Sequence, residues 1–108
     1  MPGETRRAQY AVLWQEDADP VSVGRLEVGD GMFTLTGKER GGPSRQCRVA
    51  LSTIRAVRIG RMENERLDGM LTLVVERHRA EPILIAQATG IGAIHELADQ
   101  LALALPAL

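Results

Sequence analysis

Cys47 is the side chain of this sequence best suited to nucleophilic chemistry. It is the only cysteine in the chain, and the nearby Arg45 and Arg48 could lower the pKa of its thiol. However, Cys47 shares the alternating phase of Val49 and Leu51, which predicts that it points into the core. No histidine lies close to it in sequence to act as a base. We therefore expect a buried structural thiol and no catalytic residue.

The two histidines give only a weak indication of a metal site. His95 and Asp99 are four residues apart and would share one face of a helix, but a metal ion needs at least a third ligand. His78 lies between Arg77 and Arg79, whose charges disfavour a cation. Neither histidine stands in a recognisable triad motif with a serine. We expect no metal ion.

Gly90 and Gly92 follow a predicted strand and open a predicted helix, as the first two glycines of a dinucleotide-binding motif do. His95 stands where that motif has its third glycine. The motif also needs a further strand with an acidic residue, and the pattern after the helix predicts none. The two glycines therefore indicate a tight connection between strand and helix, and we expect no cofactor.

Carboxylates occur in pairs at Glu16 and Asp17 and at Glu63 and Glu65, in segments predicted to be polar loops. General acid–base chemistry needs burial or a close charge to shift the pKa values of such groups. A polar loop does not provide the burial. We expect these carboxylates to be solvated and to serve solubility.

Basic side chains are concentrated in the middle of the chain. Eight basic and three acidic residues lie between Lys38 and Arg66, a net charge of +5, although the whole chain carries −1. Arg48, Arg55 and Arg58 fall at outward positions of two strands predicted to be adjacent, and form a candidate surface for an anionic partner. The alternative is arginine spread over an ordinary sheet surface. The segment has no aromatic residue to stack on bases, which disfavours nucleic acid.

These side chains are carried by short strands, because apolar and polar residues alternate along most of the chain. The alternation predicts seven antiparallel strands, near residues 10–14, 21–28, 33–36, 45–51, 54–59, 70–77 and 82–87. Gly29 and Gly31 predict a tight hairpin. Ser52 and Thr53 interrupt the sheet between the fourth and fifth strands. The sixth strand is apolar on both faces, so we expect it to be central.

Helical spacing replaces the alternation near the C-terminus. Apolar residues that include Leu97 and Leu101 form a stripe, which predicts one amphipathic helix over residues 90–105. We expect this helix to close the open end of a barrel or sandwich, since each element would then bury its apolar face. The core residues considered as its contacts are Trp14, Phe33 and Leu73.

Length and composition limit the alternatives. The 108 residues suffice for one domain with its own core, residues 1–7 forming a flexible arm. The apolar runs are too short for a signal peptide or a membrane span. A single cysteine fits a reducing compartment, so we expect a cytoplasmic location.

Seven short antiparallel strands followed by one amphipathic helix resemble the pleckstrin-homology (PH) superfold, which includes GRAM-like and small bacterial PH-like domains. The resemblance is carried by the hairpin over residues 25–35 and by the Leu-Ser-Thr-Ile passage within residues 49–59. It implies a mainly β, seven-stranded barrel or sandwich capped by one C-terminal helix. PH domains that bind phosphoinositides place Lys and Arg in the first hairpin loop. Here residues 15–20 carry three carboxylates, which disfavours a phosphoinositide.

The sequence thus favours a non-catalytic interaction module that binds a protein or peptide, or that self-associates, through an exposed edge strand. One alternative is a protein that binds an anionic membrane surface through Arg48, Arg55 and Arg58. A second alternative is a small-ligand carrier or enzyme with a site at the barrel mouth.

Overall fold

The computed structural model describes residues 8–17, 19–29, 31–39, 41–87 and 99. This part of the chain is mainly β, with seven antiparallel strands in one sheet that curls into a half-barrel. The strands are β1 (Ala8–Glu16), β2 (Ser22–Gly29), β3 (Met32–Glu39), β4 (Ser44–Ala50), β5 (Ile54–Ile59), β6 (Thr72–Arg77) and β7 (Ile83–Gln87). The seven strands predicted from the alternation are confirmed, although β3 continues to Glu39 instead of ending near residue 36.

The sheet consists of two meanders joined through β1. Its strand order is β4-β3-β2-β1-β7-β6-β5, and β1 pairs with β7 from Val12↔Gln87 to Glu16↔Ile83. The 3₁₀ turn Leu51–Thr53 connects β4 to β5 where the sequence predicted a break. β4 and β5 are consecutive along the chain, yet they lie at opposite edges of the described sheet.

A tight turn joins β2 and β3, as predicted. β2 ends at Gly29, β3 begins at Met32, and Gly31 between them has φ +73°. Residues other than glycine seldom adopt this left-handed conformation, which hairpin turns require.

The core lies on the concave face of the curled sheet, because every second residue of each strand points there. Its buried members are Val12, Trp14, Leu26, Val28, Phe33, Leu35, Cys47, Val49, Leu51, Ile54, Leu73, Val75, Ile83 and Ile85. The predicted arm, residues 1–7, lies outside the described residues. So does the predicted helix over residues 90–105, including Leu97 and Leu101, with the exception of Asp99.

The connection between β5 and β6 folds back onto the convex face of the sheet. It contains the 3₁₀ turns Glu63–Glu65 and Leu67–Gly69, and the second of these contacts β7. The amide of Leu67 donates a hydrogen bond to the hydroxyl of Thr72 at 2.9 Å, and both residues are buried. This cover explains why β6 is buried on both faces. The sequence predicted a central position for β6, but the strand lies next to the edge strand β5.

No helix in the described part of the chain has the length and apolar character needed to cross a membrane.

Candidate functional site

The three arginines predicted to bind an anionic partner lie on opposite edge strands. Arg48 is on β4, whereas Arg55 and Arg58 are on β5. All three are exposed, in agreement with their predicted outward phase. The prediction that their strands are adjacent is wrong, because β4 pairs with β3 and β5 pairs with β6 in the described sheet.

Carboxylates accompany the two arginines on β5. The guanidinium of Arg58 donates two hydrogen bonds to Glu65, one of them from Nη1 to Oε1 at 3.1 Å. Glu76 Oε2 lies 3.7 Å from Arg58 Nε and 3.4 Å from Arg55 Nη2. An anionic partner at β5 would therefore compete with carboxylates that the protein already supplies.

The sequence predicted a solvated loop carboxylate at Glu65, but its side chain makes structural hydrogen bonds. Besides the guanidinium of Arg58, its Oε1 accepts the backbone amides of Arg61 and Met62, both at 3.2 Å. The hydrogen bond from Arg58, followed by that from the Met62 amide, lowers the pKa of Glu65 to about 2. Glu65 thus ties the connection after β5 to the strand itself.

A cluster of acidic and basic side chains lies where β1, β3 and β6 end and β4 begins. We call it the end cluster; it comprises Glu16, Asp19, Glu39, Arg45 and Arg77. Arg45 lies 3.0 Å from both Asp19 and Glu39, through separate guanidinium nitrogens. Arg77 Nη1 lies 3.4 Å from Glu16 Oε2.

Cys47 lies beneath the end cluster and is buried, which confirms the prediction of a core thiol. Its Sγ donates a hydrogen bond to Glu16 Oε2 at 3.4 Å. Burial first, and then the charge and hydrogen bond of Glu16, raise the pKa of the thiol to about 11, although Arg77 opposes this. The thiol is therefore protonated at neutral pH, whereas a nucleophilic cysteine needs a lowered pKa.

An open cleft of about 600 Å³ adjoins the end cluster. Its lining residues are Glu16, Asp17, Asp19, Arg77, Arg79, Ala80 and Glu81. Arg77 donates from Nε and Nη2 to the backbone carbonyl of Glu81, at 2.8 and 2.6 Å, so its guanidinium holds the turn between β6 and β7. Within the described ranges, no three His, Cys, Asp or Glu side chains are grouped as a metal site requires.

β4 provides the more regular of the two sheet edges. Seven consecutive residue pairs join it to β3, from Met32↔Ala50 to Lys38↔Ser44, without a shift in register. The register of β5 with β6 shifts between Ile54 and Ala56. Such an irregularity bends an edge strand and hinders the addition of another strand. β4 is thus the edge best suited to pair with an added strand.

The exposed side chains of β4 differ from those of β5 in their charge balance. Gln46 and Arg48 are exposed on the convex side. Arg48 has no carboxylate partner among the residues that the structure describes, in contrast to Arg55 and Arg58 on β5. The alternation located these side chains but did not show which strands form the edges, since the pairing of β1 with β7 has no local sequence signal.

Comparisons of the chain with models of protein families, with curated proteins and with solved structures gave no match. The function is therefore inferred from the geometry and charge of the described residues.

Proposed function

We propose that this protein is a non-catalytic interaction module of PH-like fold that binds an extended segment of a protein partner at an edge of its sheet. The observation that carries the proposal is the regular edge of β4, with seven consecutive residues in register against β3. In strand addition the main chain supplies the hydrogen bonds, and alternate side chains supply the specificity. The PH-like fold is part of the proposal, and the seven antiparallel strands with a 3₁₀ break after β4 support it.

The chemistry of the ionisable groups supports binding over catalysis. The thiol of Cys47 is buried, and its pKa is raised to about 11. In the end cluster, Arg45 and Arg77 are engaged by carboxylates. Groups engaged in this way stabilise the fold and are poorly placed to exchange protons with a substrate.

Binding to an anionic membrane surface is the less favoured alternative. Glu76 Oε2 lies 3.4 Å from Arg55 Nη2 and 3.7 Å from Arg58 Nε. Arg58 also donates a hydrogen bond to Glu65. Attraction to an anionic membrane surface contributes about 1 kcal/mol to the binding free energy for each Lys or Arg near that surface. Paired arginines contribute less, which leaves Arg48 as the one arginine of the predicted three without a described carboxylate partner.

Selection from a library of random linear peptides displayed on phage, with the folded protein immobilised, tests the proposal. Selected peptides are then titrated into ¹⁵N-labelled protein, and their position is read from the backbone amide shifts. We expect the shifts to run along one edge strand, and the amides of the bound peptide to become protected from hydrogen exchange. Failure to select any peptide, or shifts confined to the cleft lined by Glu16 and Arg77, would contradict it. Retention of the protein on anionic vesicles that is lost in Arg48→Glu would favour the membrane alternative.

A further inference from the structure

We infer that the partner segment is acidic and adds to β4, not to β5. This inference rests on the proposed function, and it names both the edge and the chemistry of the segment.

The charge along β4 points to an acidic segment. The strand carries Arg45 and Arg48 and no carboxylate. Arg45 is already bound to Asp19 and Glu39, whereas Arg48 is exposed and has no described carboxylate partner. Glutamate or aspartate on an added strand, directly opposite Arg48, would lie within about 4.5–5.5 Å, measured between Cβ atoms.

The neighbouring strand reinforces this preference. The residues of β3 that share the convex face with Gln46 and Arg48 are Thr34, Thr36 and Lys38. Thr34 lies opposite Arg48, Thr36 lies opposite Gln46, and Lys38 is exposed at the end of the strand. This strip contains two cations and no carboxylate, so an acidic strand beside it would meet no like charge.

β5 has neither the regular register of β4 nor an arginine without a carboxylate partner. Its register with β6 shifts between Ile54 and Ala56, which breaks the regular ladder that an added strand would extend. Its arginines are already compensated by Glu65 and Glu76. An acidic segment would gain less from the charge of β5 and would meet the carboxylates that are bound there.

A second copy of this chain fits the β4 edge poorly. Antiparallel pairing of two β4 strands would bring two copies of Arg48 to one ladder, and neither β4 strand carries a carboxylate to offset them. Like charges placed opposite or diagonally in a sheet are destabilising. The edge therefore favours a different chain that supplies the carboxylates.

Arg48 could also serve only to keep the edge from pairing, as exposed charges on edge strands often do. The two roles predict different results. A protective arginine repels every added strand, whatever its charge, and its removal promotes self-association. An arginine that recognises the partner favours acidic over basic strands. Reversing its charge should make the edge favour basic strands.

The test uses two capped peptides long enough to span β4, one alternating valine with glutamate and the other alternating valine with lysine. Each is titrated at low ionic strength into the ¹⁵N-labelled full chain. We expect the glutamate peptide to shift the amides of Ser44–Ala50, and the lysine peptide to bind at least about tenfold more weakly. Arg48→Glu should reverse this order. Arg55→Glu, the matched charge reversal on β5, should leave the affinity for the glutamate peptide within about twofold.

Three results would overturn the inference and leave the proposed function standing: amide shifts along β5, equal binding of the two peptides, or an unchanged preference in Arg48→Glu. Self-association of the wild-type chain through β4 would also overturn it, in favour of a second copy. If neither peptide binds the wild type and Arg48→Ala self-associates, Arg48 only protects the edge. If peptides from the unbiased selection also fail to bind at either edge, the proposed function itself fails. Unchanged thermal midpoints in all three variants are required, so that loss of binding is not loss of fold.

Discussion

The indole Nε1 of Trp14 donates a hydrogen bond to the backbone carbonyl of Thr36, at 3.2 Å. Trp14 is on β1 and Thr36 is on β3, so this bond crosses β2, which lies between them in the sheet. It can do so because Gly24 on β2 is paired with Gly37 on β3, and neither places a side chain beneath the indole. A Cβ on Gly37 would lie 3.1 Å from Nε1. The two glycines thus leave room for the indole to reach across β2.

Gly24→Ala tests whether this close approach is required. A Cβ at Gly24 would lie 1.9 Å from the carbonyl oxygen of Thr36, and both strands must shift to accommodate it. We expect a loss of about 1–3 kcal/mol or more in the free energy of unfolding, as for other overpacked sites. Urea unfolding followed by the fluorescence of Trp14, the single tryptophan, measures the loss. The control is the exposed neighbour, Val23→Ala, for which we expect a change within about 0.5 kcal/mol. Equal stability of the two variants would contradict the prediction.

The strands were predictable because the physics that positions them is local. Each strand buries one face, so apolar and polar residues alternate, and Phe33 and Leu35 could be assigned to the core from sequence alone. Gly31 marked its turn because the left-handed conformation excludes most other residues. Cys47 could be placed in the core by the same alternation, and it is buried in the structure.

The candidate site was less predictable because its contacts join distant parts of the chain. Because β1 pairs with β7, β4 and β5 form the two edges of the described sheet. No local sequence pattern predicts that pairing. The same holds for the partner of Cys47, Glu16, which is 31 residues away and is reached through the curl of the sheet. Glu65 lies only seven residues from Arg58, but their contact depends on a 3₁₀ turn that the alternation does not reveal.

Thr72→Val tests the attachment of the connection between β5 and β6. The buried hydroxyl of Thr72 accepts the amide of Leu67 and donates to the carbonyl of Met70, both at 2.9 Å. Valine keeps the shape but leaves the Leu67 amide without its partner, which costs about 1–3 kcal/mol for a buried group. Urea unfolding measures this loss, and we also expect faster hydrogen exchange at Leu67.

The matched control for Thr72→Val is Thr34→Val. Thr34 is half-buried on the convex face of β3, and its hydroxyl has no described hydrogen-bond partner. We expect a change within about 0.5 kcal/mol there. If both variants lose the same stability, the hydroxyl of Thr72 does not hold the connection.

The thiol of Cys47 should be unreactive in the folded protein. Its pKa is raised from 9.0 to about 11, so at about pH 8 the folded state holds roughly a hundredfold less thiolate than the unfolded chain. Alkylation by iodoacetamide, followed by mass spectrometry, should be slow without denaturant and at least about a hundredfold faster in urea. Because Cys47 is the only cysteine, every modified molecule reports on this site. Rapid alkylation of the folded protein would contradict the burial of the thiol.

The same shift predicts a dependence of stability on alkaline pH. The folded state holds its thiol proton more tightly than the unfolded state, so the contribution of Cys47 is fully present below about pH 9. It is lost as the pH rises from there through about 11. Urea unfolding across this range should show a steeper fall in the free energy of unfolding for the wild type than for Cys47→Ala. Parallel curves would show that the thiol does not contribute.

The contribution of Glu65 to stability should be lost at acidic pH, whereas that of Cys47 is lost at alkaline pH. Its pKa is lowered to about 2 by the hydrogen bond from Arg58 and by those from the amides of Met62 and Arg61, so the folded state favours the charged carboxylate. The resulting stabilisation is present above the ordinary pKa of 4.5 and is lost as the pH falls through about 2. The ¹³C shift of the Glu65 carboxyl group should therefore titrate near pH 2 in the wild type.

Arg58→Gln provides the decisive comparison for Glu65, because it removes the largest cause of the shift and leaves the backbone amides in place. We expect the titration midpoint of Glu65 to move upward, toward 4.5. The matched control is Arg55→Gln on the same strand, which leaves the hydrogen bonds from Arg58 and from the Met62 and Arg61 amides in place, so the midpoint of Glu65 should stay near 2. If Glu65 already titrates near 4.5 in the wild type, Arg58 does not bind it in solution. Arg58 would then lack its Glu65 partner. The charge argument for preferring the β4 edge over β5 would be weakened, and the argument from the register of the strands would remain.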